Sequence, residues 1–151
     1  MHSKPMIAAL LVLASATATA AGDGMVSMRS AHDVATTTER LVDTLEAKGM
    51  TVFRVIDHAA GAEGAGLELR PTRLVIFGNP KIGTRLMQCG QTAAIDLPQK
   101  MLVWEDASGA TRVGYNAAEY VAERHDTGPC NGVVEKVGKA LQAFAAAASG
   151  R

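Results

Sequence analysis

The segment TRLVIFGNPKIGTRLMQC, residues 72–89, constrains the fold more tightly than any other part of the sequence. A run of β-branched and aromatic residues passes straight into Gly78-Asn79-Pro80, and an apolar stripe at helical spacing, Ile82, Leu86 and Met87, follows at once. Asn79 suits the residue that caps a helix. Pro80 suits the first helical position, where the missing amide hydrogen has no partner to lose. The run therefore reads as a strand ending at Gly78 and a helix reaching about Cys89, and the chain must mix the two element types.

The rest of the pattern places this corner in an architecture. Residues 24–31 alternate as a first strand, with Val26 and Met28 on one face. A helix follows: Ser30 and Asp33 fit a capping box, Val34, Leu41, Val42 and Leu45 recur at helical spacing, and Gly49 supplies a left-handed exit. Its other face, with Thr37, Glu39, Arg40, Asp43, Glu46 and Lys48, reads as solvated surface. Residues 51–59, TVFRVIDHA, form a second strand, and the glycine-rich AAGAEGAGLELRP reads as a loop with room for one short helical turn. Residues 100–105 and 111–115 make two strands joined by an Asp-Ala-Ser-Gly turn, and AAEYVAERH makes a short helix. The terminal helix repeats Val134, Val137, Leu141, Phe144 and Ala148 at threes and fours. The order β-α-β-β-α-β-β-α predicts an α+β fold, a mostly antiparallel sheet with helices packed on one face.

A chain of 151 residues supports one domain with its own core. Residues 1–20 read as a signal peptide rather than part of that domain. Lys4 gives a positive start, an apolar run follows from Met6 to Ala14, and Ala18 and Ala20 have the spacing of a cleavage site. The run is too short for a membrane anchor, which needs about 20 apolar residues. The expectation is an exported chain, periplasmic or secreted, cut after Ala20, with a single domain over residues 21–151 and no stable membrane insertion. Removing the leader takes away Lys4 and no acid, so the mature net charge is about −1. A near-neutral balance without a basic run offers no footprint for nucleic acid. Cys89 and Cys130 are then in a compartment where disulfides persist, and their even number favours a bridge; buried thiols are the alternative. They lack the Cys-x-x-Cys spacing of a thioredoxin-type site.

Four segments, FRVIDHAA, GLELRPTRLVIFGNPKIGTRLM, AIDLPQKMLVWED and YNAAEYVAERH, occur in an order that resembles the bacterial domain-of-unknown-function 302 family and together span nearly all of the mature chain. The resemblance implies a compact α+β domain and brings no assigned activity with it. Arg85 departs from the pattern, in which a neutral residue is more usual.

Among the residues that could carry chemistry, the corner is the leading site. Amides at a helix start and the helix dipole favour an anion such as a carboxylate, sulfate or phosphate, and Gly78, Asn79, Lys81 and Thr84 would surround it. A capped helix start with no ligand is the plain alternative, and the spacing is not that of a Walker loop. Asp57 and His58 end the second strand, and His125 ends a short helix; an imidazole in either place could serve acid-base work or join a ligand site. Adjacent strand residues point to opposite faces, so Asp57 is badly placed to orient His58. The histidines, His32 included, lack metal-ligand spacing, and the scattered Met25, Met28, Met50, Met87 and Met101 read as core filling rather than a copper run. Trp104 reads as core packing.

No complete catalytic set, metal or cofactor is expected. The leading expectation is an exported small-ligand binding or accessory domain that takes a small anionic molecule at residues 79–84 and uses Asp57, His58 and His125 as further ligand contacts; a homodimer is the other partner left open. The alternative is a small periplasmic enzyme or thiol-redox protein using His58, His125 or Cys130, the last placed near a helix start that would lower a free thiol's pKa.

Overall fold

A computed structural model describes residues 19–20 and 24–151, so the expected leader, apart from Thr19 and Ala20, lies outside the described residues. Five full strands and one two-residue strand build an antiparallel sheet. They are β1 (Thr19–Ala20), β2 (Met25–Arg29), β3 (Thr51–Asp57), β4 (Thr72–Gly78), β5 (Gln99–Glu105) and β6 (Thr111–Asn116), in the spatial order β1-β2-β6-β5-β4-β3. Cleavage after Ala20 would remove β1 and leave β2 as the sheet edge.

Side-chain alternation along the strands makes two unlike faces. Val75, Phe77, Met101, Val103, Val113 and Tyr115 point to one face and are buried, and the register puts Val75 opposite Met101 and Val103 opposite Val113. Against this face pack α1 (Val34–Ala47) and α5 (Asn131–Ser149), which contribute Val34, Leu41, Leu45, Val137, Leu141 and Phe144 to the same core. Leu74, Leu102 and Trp104 belong to the other face and are only half-buried. Trp104 is thus not the core residue expected: it stands opposite Arg112, and its ring lies over Gly114, where a Cβ would meet Cζ3 at 3.0 Å.

Local chemistry sets the element ends. The Asp33 side chain accepts from the Thr36 amide and starts α1, while Ser30 instead shares a buried 2.7 Å hydrogen bond with the Thr37 hydroxyl. Gly49, at φ +71°, makes the left-handed turn that returns the chain into β3. The stretch after β3 differs from expectation. His58 does not end a strand; it opens a helix, α2 (His58–Gly64), which Asp57 caps by accepting from the Ala60 amide. Two further helices, α3 (Pro80–Cys89) and α4 (Ala118–Arg124), follow the predicted spans, and short 3-10 turns cover Gln91–Ile95 and Gly128–Cys130. Cys89 and Cys130 are bridged, which ties the end of α3 to the start of α5.

Candidate functional site

The Gly78-Asn79-Pro80 corner stands at the mouth of an apolar cleft of about 500 Å³. Three elements meet there. The end of β4 brings Phe77 and Gly78, α3 brings Ile82, Gly83, Leu86 and Met87 as one wall, and α5 brings Val137, Ala140, Leu141 and Phe144 as the other. Phe77 and Phe144 meet edge to face, with ring centroids 6.1 Å apart. Leu97 and Pro98 close one side, and the bond between them is cis.

Phe53 reaches this cleft because β3 bulges. Val52 pairs with Phe77 and Arg54 with Ile76, so Phe53 is an extra residue with no partner across the ladder. A bulge of this kind re-aims the side chain it carries. The ring of Phe53, half-exposed, passes over Gly78, where an added Cβ would stand 3.4 Å from Cε2.

The polar groups of the corner are already engaged. Pro80 has no amide hydrogen, the Lys81 amide donates to Asn79 Oδ1 at 3.0 Å, and the amides of Ile82 and Gly83 donate to the Asn79 carbonyl at 3.0 and 2.9 Å. An anion arriving here would meet side chains rather than open backbone donors. Gly78, Asn79 and Thr84 line the cleft, while Lys81 is exposed outside it. The charged residues in the lining are Lys48, from the end of α1, and Lys136, from α5. Both were missed as site residues. Neither belongs to an apolar stripe, and only the fold brings them together.

The other expected residues lie apart. Thr51 pairs with Gly78 at one end of the β3–β4 ladder and Asp57 with Arg73 at the other. The intervening strand length, about 20 Å, separates Asp57 and His58 from the corner. Asp57 holds Arg73 Nε at 3.0 Å, and its carboxyl is held below the usual aspartate value first by the Ala60 amide and then by that guanidinium. It borders a broad groove of about 1040 Å³ in which acids and bases alternate, Glu63, Glu68, Arg70 and Glu105 among them. His58 is exposed.

His125 is nearly enclosed, 6% exposed at its side chain. Its Nε2 lies 2.6 Å from Asp96 Oδ2 and its Nδ1 lies 3.0 Å from Thr92 Oγ1. A carboxylate only accepts, so Nε2 donates to Asp96. This arrangement fastens α4 to the 3-10 turn that precedes Leu97, and the imidazole does not line the cleft. The disulfide likewise leaves no free thiol at Cys130. Among the described residues, no group of His, Cys, Asp or Glu side chains is gathered in a way that could hold a metal ion, and no helix is long and apolar enough to cross a membrane.

Comparison with known proteins adds a family and a fold. The chain is 46% identical over 113 residues to the fluoride-specific ion channel FluC 1 of Brucella suis, covering 75% of this chain and 44% of that protein. It has the same identity to FluC 2 of Brucella melitensis, where the match covers 42% of the relative. The chain therefore spans less than half the length of these curated relatives. A solved structure, that of an uncharacterized conserved DUF302 protein from Bacillus stearothermophilus, superposes with a TM-score of 0.75 at 18% identity, covering 83% of this chain and 98% of that one. At that identity the likeness concerns the fold. The model of the family described as domain of unknown function DUF302 matches residues 26–147, and the chain belongs to that family.

Proposed function

We propose that the protein is an exported binding domain that holds a small ligand in the cleft between α3 and α5. One observation carries the reading: an apolar concavity of about 500 Å³ opens beside the strand-to-helix corner. That volume lies within the range of small-molecule sites, which are mostly apolar and hold few polar groups. The leader-like residues 1–20 support export, and the mass of the protein recovered from a periplasmic extract checks it by loss of residues through Ala20.

Gly83→Leu tests the cleft. A Cβ at Gly83 has only Leu97 Cδ1 near it, at 3.9 Å, so the longer side chain occupies cleft space while α3 gains a better helix former. The wild type should bind the neutral dye N-phenylnaphthylamine with increased fluorescence, and the variant should lose that signal without a lower melting temperature. Equal dye binding by the two proteins would refute the reading.

The Brucella relatives favour a second role, that of an accessory domain acting beside a fluoride channel. Replacing the matched part of the Brucella suis protein with this chain and scoring growth on fluoride tests it. A replacement that behaves like deletion of the matched part counts against that role.

A further inference from the structure

We propose that the ligand of this cleft is an amphipathic anion, an apolar body ending in a single negatively charged group; the proposal rests on the cleft being the binding site. The cleft is lined almost wholly by carbon, and the charges on its lining have one sign. Lys48 and Lys136 lie there and no aspartate or glutamate does. Neither lysine makes an ion pair among the described residues. Glu135, the acid next to Lys136 in sequence, is taken up by Lys139 at 2.5 Å on the outer surface of α5.

The helix dipoles do not overturn this sign. The N-terminal end of α3 reaches the cleft at Pro80 and the C-terminal end of α1 reaches it at Lys48, so a positive and a negative helix end face the same space and largely offset. What remains is the charge of the two ammonium groups. An apolar tail would displace water from the exposed ring of Phe53 and the half-buried Ile82, Met87 and Leu97, while its charged end would stay near the lysines, where hydration is kept. A neutral tail would gain the first contribution only. A cationic one would be repelled.

Competition against bound N-phenylnaphthylamine, using the full mature protein, reads the proposal directly. Octanoate, octyl sulfate, octanol and octyltrimethylammonium share a tail and differ in the head. Both anions should compete about five- to tenfold better than octanol, as two partly exposed ion pairs permit, and the cation should compete worst. The advantage should shrink as salt is raised. If octanoate alone shows it, the head is a carboxylate; if octyl sulfate shares it, charge alone is selected. In the double variant Lys48→Glu, Lys136→Glu the order of anion and cation should reverse while octanol is unchanged. Octanol competing as well as octanoate would overturn the charge selection and leave the cleft reading standing. Failure of the dye and every tailed compound to bind would overturn both.

Discussion

Cys89 and Cys130 join the last residue of α3 to the turn that opens α5, with their Cα atoms 6.1 Å apart at a sequence separation of 41. The link matters for the cleft because these two helices are its facing walls, and Leu86 is the only buried side chain of α3. A helix so lightly anchored depends on its ends: the corner at Asn79 holds one and the disulfide holds the other.

Cys89→Ser paired with Cys130→Ser should therefore lower stability by about 2–4 kcal/mol, the usual range for losing a bridge over a loop of this length. Dye affinity in the cleft should fall as well, since one wall is released. Urea unfolding and dye titration of the double variant check the two effects separately. Unchanged stability and unchanged affinity together would show that packing alone fixes α3.

Arg40 ties the other end of α5. Its Nη2 donates to the Ala147 carbonyl at 3.0 Å and its Nε to the Ala148 carbonyl at 3.3 Å, satisfying acceptors in the last turn of a helix that ends in a left-handed Gly150. Arg40→Met keeps the apolar stem and removes the donors. The expected loss is about 1 kcal/mol, since the group is partly solvated. Hydrogen exchange should show faster opening of the last turn of α5, with the sheet protected as before.

His125 should prove structural. Replacing it with leucine leaves Asp96, 13% exposed at its side chain, with Arg124 Nη1 at 3.4 Å as its remaining ion-pair partner. Leaving a mostly buried acceptor short of donors costs about 1–3 kcal/mol. His125→Leu should lower the melting temperature while ligand binding at a temperature well below it is retained. Loss of binding in a fully folded His125→Leu protein would instead return the imidazole to the site.

The corner was legible in the sequence because each of its rules is local. A β-rich run, an Asn cap, Pro80 at the first helical position and an apolar stripe act within a few residues of one another, and α3 spans Pro80–Cys89 as that pattern predicts. Helix α2 was harder to read. Its glycines, Gly61 and Gly64, lower helix propensity, and Asp57, which caps it, also closes a strand. The cleft was less legible still. Ile82, Leu86, Val137, Leu141 and Phe144 announce themselves as apolar stripes, but a stripe says which face of a helix turns inward and not whether the facing wall comes close enough to fill the space. Phe53 reaches the site through a bulge, and Lys48 and Lys136 through long-range packing, and neither cause leaves a local signal. Whether Asp57 and His58 share an edge with the corner was open in the sequence for a related reason, because the direction of β3 relative to β4 decides it; the antiparallel pairing puts them at the far end of the ladder, and His125 is held separately by Asp96 and Thr92.

Acid should destabilise the protein through the β5–β6 turn. Asp106 Oδ1 accepts from the Ser108 hydroxyl at 2.6 Å and from the amides of Ser108 and Ala110, while Oδ2 accepts from Arg112 Nε at 2.7 Å. The Ser108 hydroxyl first, and then the Arg112 guanidinium, hold its carboxyl well below the ordinary aspartate value of 3.8. The folded state thus binds fewer protons than the unfolded chain as the solution is acidified. Stability from this group is fully present above the unfolded value and is lost as pH falls from there toward the folded one. Asp33 and Asp57, lowered chiefly by the amides they cap, act in the same direction. Asp106→Asn should be less stable than wild type at neutral pH and show a shallower decline in urea midpoint between about pH 5 and pH 2. A variant that keeps the wild-type slope would mean that the turn hydrogen bonds survive in the unfolded chain and that the acid limb belongs to the caps at Asp33 and Asp57.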